Sequence, residues 1–216
     1  MEKEFWMQAW EDRRIGFHQS QYNPVMTEHY KDLELKDKNV LIPLAGKSKD
    51  ILYFIERGAN VTAIELSEMA VKEFFEENGI VPQLSKTATH TIYESQGLKF
   101  VCGDFFSYSP DQGKHFDYYY DRACIVALPM EMRQSYYKKI ESLIAIHTDI
   151  FIITFAHNGP KDFGPPFYVP EEEILTAYKN IGFDLNFTVF NESKAEGRFK
   201  EAGIDKMKRL HWKKQI

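Results

Sequence analysis

Four stretches of this 216-residue chain end in groups able to hold or polarise a small molecule: Pro43-Leu44-Ala45-Gly46-Lys47-Ser48, Glu65, Gly103-Asp104-Phe105 and Asp121-Arg122. Each closes an apolar run with strand character: NVLIPL at 39–44, NVTAIEL at 60–66, LKFVCGDFF at 98–106 and FDYYYDRA at 116–123. Ligands of an open parallel sheet bind at the carboxyl ends of its strands, so these groups are expected on one rim. Glu65 lies nineteen residues after Gly46, a spacing that suits an acid hydrogen-bonded to ribose hydroxyls.

The first turn offers only Gly46, not the G-x-G-x-x-G that brings backbone close to a pyrophosphate. A nucleoside without a diphosphate fits better. Asp104 and Phe105 can present a polar contact and an aromatic plane to an adenine. S-adenosylmethionine, a sulfonium nucleoside, meets all three conditions. Singly, each group has a plainer reading. Gly46 is an ordinary turn glycine, Glu65 a helix-start acid beside Ser67, Asp104 a loop acid and Asp121-Arg122 a structural ion pair. The order of all four along the chain favours the shared site.

Other chemistries find less support. The seven histidines show no H-x-H or H-E-x-x-H spacing, so no metal site is expected. There is no G-x-S-x-G elbow, and GKS at 46–48 lacks the glycine that a P-loop needs at position 41. Cys102 and Cys124 sit in apolar surroundings, where a raised thiol pKa makes an inert packing role the expectation. Twenty-seven basic against 32 acidic residues leave a net charge of −5, with no basic excess for nucleic acid. The longest nearly unbroken apolar stretch, IFIITFA at 150–156, is too short to span a bilayer. The start, MEKEFWMQAWEDRR, lacks a signal peptide's pattern. A reduced, cytoplasmic, monomeric protein is expected, and its 44% hydrophobic content supplies a substantial core.

The elements that must position these groups alternate strand, helix, strand, helix. A helix follows Ser48 and stops at Gly58, and a second runs from Ser67 to near Gly79. The stretch 80–96 is less periodic. Residues 129–147 read as a helix, 148–156 as the most apolar strand, and 157–169 as a Gly/Pro loop. Another helix follows. The segment 183–190 is expected to pair antiparallel with a last strand near 207–212. The reading is an α/β, Rossmann-like class I fold: a mostly parallel seven-stranded sheet flanked by helices, as one domain over 1–216. Residues 1–38 form a helical cover, with Trp6 and Trp10 on one helical face, and 39–216 form the core.

Read together, FWMQAW, IGFHQ, VLIPLAGKSKD, AIELSE, VKEFFEENG, CGDFF, YYDRACIVALP, GPPF and RFKEAGID resemble the thiopurine S-methyltransferase family, especially its bacterial members. The likeness runs through most of the chain. It departs at Ala45, where the family usually has Cys, and matches poorly at 80–97 and in the C-terminal tail. The resemblance implies a Rossmann-like methyltransferase using S-adenosylmethionine. By motif position, Trp10, Leu44, Glu65, Asp104, Phe105 and Arg122 become cofactor contacts, beside the turn glycine Gly46. Phe17 would face the acceptor, with Arg122 and Arg198 near its sulfur as the catalytic pair. The expected reaction is in-line methyl transfer to a small aromatic or heterocyclic thiol. Methylation of inorganic soft nucleophiles, a nicotinamide-dependent oxidoreductase and a non-catalytic binding protein stand as alternatives.

Overall fold

The computed structural model describes residues 3–215. The chain divides into two compact units, Met1–Tyr118 and Tyr119–Ile216. In the first, α1 (Lys3–Glu11) and α2 (Pro24–Tyr30) precede β1 (Asn39–Ile42), α3 (Asp50–Glu56), β2 (Asn60–Glu65) and α4 (Glu68–Glu77). Then come β3 (Gln83–Lys86), β4 (Thr91–Ser95), β5 (Leu98–Cys102) and a 3-10 turn, Phe105–Ser107. The strands lie in the order β3-β4-β5-β2-β1. β1 and β2 run parallel, as do β2 and β5, with Glu65 in register with Cys102. β3 and β4 form an antiparallel hairpin that continues antiparallel onto β5.

The local causes are visible. Val40, Leu41, Val61, Ala63 and Ile64 are buried, so the parallel strands read as continuous apolar runs rather than alternations. Ser67 caps α4 by accepting the Ala70 N–H at 3.3 Å. Val71, Phe74 and Phe75 make that helix's buried face, with Phe74 5.4 Å from Phe100 of β5. Asn23 caps α2 through the N–H groups of Val25 and Met26.

The second unit carries β6 (Tyr118–Arg122), which starts on the last residue of the first, then α5 (Cys124–Ala127) and α6 (Met130–Glu141). β7 (Asp149–His157), α7 (Glu171–Asn180), β8 (Leu185–Lys194), α8 (Arg198–Glu201) and β9 (Lys206–Lys214) follow. Its strands lie in the order β6-β7-β9-β8. β9 pairs antiparallel with both β7 and β8, so the expected antiparallel terminal pair is present.

The seven-stranded, mostly parallel expectation needs correcting: nine strands are described and the pairing is mixed. The added strands are the β3–β4 hairpin inside 80–97. All four β3 residues, Gln83 to Lys86, are exposed, so no buried face imposes a period of two on the sequence. A polar edge strand of this kind also resists pairing with other chains. The predicted helix at 129–147 stops at Glu141. No helix among the described residues is long and apolar enough to cross a membrane, and no group of three potential metal ligands occurs among them.

Candidate active site

The tip of β2 organises the first unit's strand ends. Glu65 is buried, and its carboxylate accepts the Gly46 N–H on one oxygen and the Ser67 N–H on the other, each at 2.8 Å. Its carbonyl accepts the Gly103 N–H at 2.8 Å. One residue therefore fixes the turn after β1, the start of α4 and the exit of β5. Burial pushes the Glu65 carboxyl above its ordinary range, against the pull of the Ser67, Gly46 and Leu66 N–H groups. A carboxylate offers about four lone-pair positions, so Glu65 keeps acceptor capacity for ligand hydroxyls. The helix-start reading is thus partly realised in the Ser67 contact, and it leaves room for the other.

The β1 turn has an unusual backbone. Leu44 and Gly46 both lie in the left-handed region, with φ of 43° and 55°. Glycine adopts this at little cost and leucine does so rarely. Beside the turn, Lys47 is buried between Glu73 at 2.8 Å and Glu77. Burial works to lower the Lys47 pKa, but the bonds to both carboxylates overcome it and the net shift is upward.

Helix α1 reaches the same rim. A side-chain carbon on Gly46 would stand 3.3 Å from the Trp10 ring. Trp6 and Trp10 each meet Phe17 edge-on at 5.7 Å, leaving Phe17 44% exposed. Lys3 pairs with Asp104 at 2.8 Å, and Arg13 pairs with Glu73. At the exit of β5, Asp104 caps the 3-10 turn by accepting the Phe106 N–H at 3.1 Å, while the Phe105 ring is buried. The structure therefore brings Trp10, Phe17, Gly46 and Glu65 into a connected set. It ties Asp104 to the same set through α1 and through Gly103.

In the second unit, Arg122 ends β6 and is followed by Ala123 at φ 66°. Asp121 is fully buried and accepts from Tyr119 at 2.9 Å, Tyr136 at 2.7 Å and the Cys124 N–H at 2.8 Å. Those three donors satisfy the buried carboxylate. Arg198 begins α8, is exposed, and donates to the Pro165 carbonyl. Its guanidinium carbon lies 5.4 Å from the Phe163 ring and 5.0 Å from that of Phe199. Arg198 is thereby fastened to the 157–169 loop. His157 holds the same loop, with Nδ1 accepting the Gly159 N–H at 3.1 Å and Nε2 3.0 Å from the Pro166 carbonyl.

Sequence reasoning passed over Lys3 and His90, both of which touch Asp104. Lys3 carries no spacing signal. For His90 the available signal was Gly103, a glycine at a strand end, which marks close approach by another group.

Known proteins resemble this chain in sequence and in fold. The family model described as thiopurine S-methyltransferase matches residues 1–215. A thiopurine S-methyltransferase of Pseudomonas syringae pv. tomato is 37% identical over 171 residues, covering 79% of this chain and 78% of the relative. One from Nitrosospira multiformis is 34% identical over 211 residues, covering 96% and 94%. Among solved structures, a Burkholderia thailandensis 1,6-didemethyltoxoflavin-N1-methyltransferase with bound S-adenosylhomocysteine superposes with a TM-score of 0.62 at 16% identity, covering 99% of this chain and 87% of that one. A Synechocystis magnesium protoporphyrin IX methyltransferase gives 0.64 at 14% identity, with 99% and 100% covered. These two likenesses concern the fold.

Proposed function

The chain belongs to the thiopurine S-methyltransferase family, and from that premise we propose that it moves the methyl group of S-adenosylmethionine to the sulfur of a small aromatic or heterocyclic thiol. The carrying observation is the Glu65 hub, a buried carboxylate with spare acceptor capacity that grips the Gly46 turn. The residues fit the cofactor. Glu65 suits its ribose hydroxyls and Asp104 its adenine; the Phe105 ring, expected to offer an aromatic plane, is buried, so the Phe105 backbone takes its place in this reading, with Trp10, Leu44 and Gly46 along the first turn. Arg122 completes the set of cofactor contacts. Trp10 packed on the only glycine of that turn leaves little backbone for a pyrophosphate, which speaks against the nicotinamide alternative.

When bound, the sulfonium supplies an electrophilic methyl carbon and a neutral leaving thioether. The protein's task is to hold the acceptor sulfur in line behind that carbon. Arg122 and Arg198 favour the thiolate over the thiol by their charge, and Phe17 offers an exposed aromatic face to the acceptor ring. Aromatic thiols are already acidic, so no strong general base is required. Opposite charges attract more strongly as water is excluded. One methyltransferase domain acting on a small molecule, as a monomer and without nucleic acid, is the matching whole.

Isothermal titration with S-adenosylhomocysteine tests the donor side, and absence of binding would reject it. Mass spectrometry of products from aromatic thiols, halides and selenium or tellurium compounds tests the acceptor. Methylation of the inorganic set alone would replace the thiol assignment.

A further inference from the structure

We propose that His90, which precedes β4, is a positioning residue for the adenine-binding turn; the role rests on the methyltransferase reading above. Its ring is buried, 8% exposed, and reaches from the β3–β4 hairpin to the exit of β5. Nε2 lies 3.0 Å from the carbonyl oxygen of Asp104, and Nδ1 lies 2.8 Å from the Thr89 hydroxyl. A carbonyl only accepts, so Nε2 carries the proton, and in the neutral ring Nδ1 then accepts from Thr89. The loop presenting the ring is itself closed. Thr87 donates its N–H to the His90 carbonyl at 2.9 Å, and its hydroxyl accepts the His90 N–H at 3.0 Å.

Gly103 shows how closely the ring is seated. A side-chain carbon there would stand 2.5 Å from His90 Cδ2, so the imidazole lies directly on the Gly103 backbone. The Tyr108 ring meets the imidazole edge-on at 6.2 Å. The Asp104 carbonyl also accepts from the N–H and the hydroxyl of Ser107, at 3.0 and 2.9 Å. The Asp104–Phe105 peptide is trans and planar, so fixing its carbonyl fixes the Phe105 N–H on the opposite edge. The Watson–Crick edge of adenine asks for one acceptor, facing its amino group, and one donor, facing N1. The Asp104 carboxylate and the Phe105 N–H are that pair. His90 therefore sets the direction of the donor half from behind, without contact to the reacting atoms.

The test compares His90→Phe, which keeps a ring but removes the donor, with His90→Gln, which restores an N–H at similar reach, both in the full chain. For His90→Phe, S-adenosylhomocysteine affinity should fall, and the KM for S-adenosylmethionine rise, by about threefold to tenfold. The kcat at saturation and the thiol KM should stay within about twofold. His90→Gln should recover most of the loss. In the ligand-free protein, the Ser107 amide should exchange faster in His90→Phe, with the Val40 and Leu41 amides unaltered. Unchanged affinity and exchange in His90→Phe, equal losses in both variants, or a fall in kcat with the cofactor KM intact would each overturn the role. Were the unaltered chain itself to bind no S-adenosylhomocysteine, the methyltransferase reading would fall and the adenine-binding role with it. Ser107 exchange would then report only on the local turn.

Discussion

Glu65 serves the fold and the proposed ligand with the same two oxygens. Glu65→Ala should orphan the Gly46 and Ser67 N–H groups and remove charged hydrogen bonds to ribose, so S-adenosylhomocysteine affinity should weaken by roughly 1.5–3 kcal/mol in titration calorimetry. The two thiols should do nothing. Burial lifts Cys102 to about 11, aided by Glu68 and Glu65, and raises Cys124 well above its ordinary value. Neither should be alkylated by iodoacetamide at neutral pH in the folded protein. Much of this scale was legible in the sequence. Glu65 and Gly46 announced themselves by spacing, and the inertness of both cysteines by their apolar neighbours. Lys3 did not, because its pairing with Asp104 follows from no period or spacing, and the one mark of His90 was the strand-end glycine at 103.

Among the elements, α1 and the turn that follows it are held by contacts of unlike kind: an ion pair through Lys3 in the helix, another through Arg13 in the turn, and the Trp10 ring on Gly46. Exposed pairs contribute little, so the buried Trp10 should dominate. Trp10→Ala should cost about 3–5 kcal/mol of stability if α1 stays docked, read by denaturant unfolding. β6, α6 and α7 meet at Asp121, where Tyr119 and Tyr136 donate to the carboxylate and Tyr178 donates to Tyr119 at 3.1 Å. Burial raises the Asp121 pKa against those donors. An acid whose folded pKa exceeds its unfolded value loses stability as pH climbs from the ordinary carboxylate range through the folded one. The melting temperature of Asp121→Asn relative to the unaltered chain should therefore rise with pH across that window. The parallel strands and the terminal antiparallel pair could be read in advance, since burial on both faces or strict alternation marks them. The β3–β4 hairpin could not, because an exposed edge leaves no such mark.

For the molecule as a whole, the first unit carries Trp10, Leu44, Gly46, Glu65, Asp104 and Phe105, the larger share of the proposed donor contacts. A ligand that binds only the folded chain stabilises it by mass action. S-adenosylhomocysteine at a hundred times its Kd should add about 2.7 kcal/mol, visible as a higher melting temperature; no shift at saturation would contradict the donor site. Family membership was legible in the ordered motifs, and the strand count was not. The fastening of α1 has a last consequence. It touches Asp104 and Gly46, two residues proposed to hold the donor, so on that reading a spent nucleoside would have to leave past the helix. Turnover would then be timed by residence rather than by bond-making, and accumulated product would be the protein's own brake.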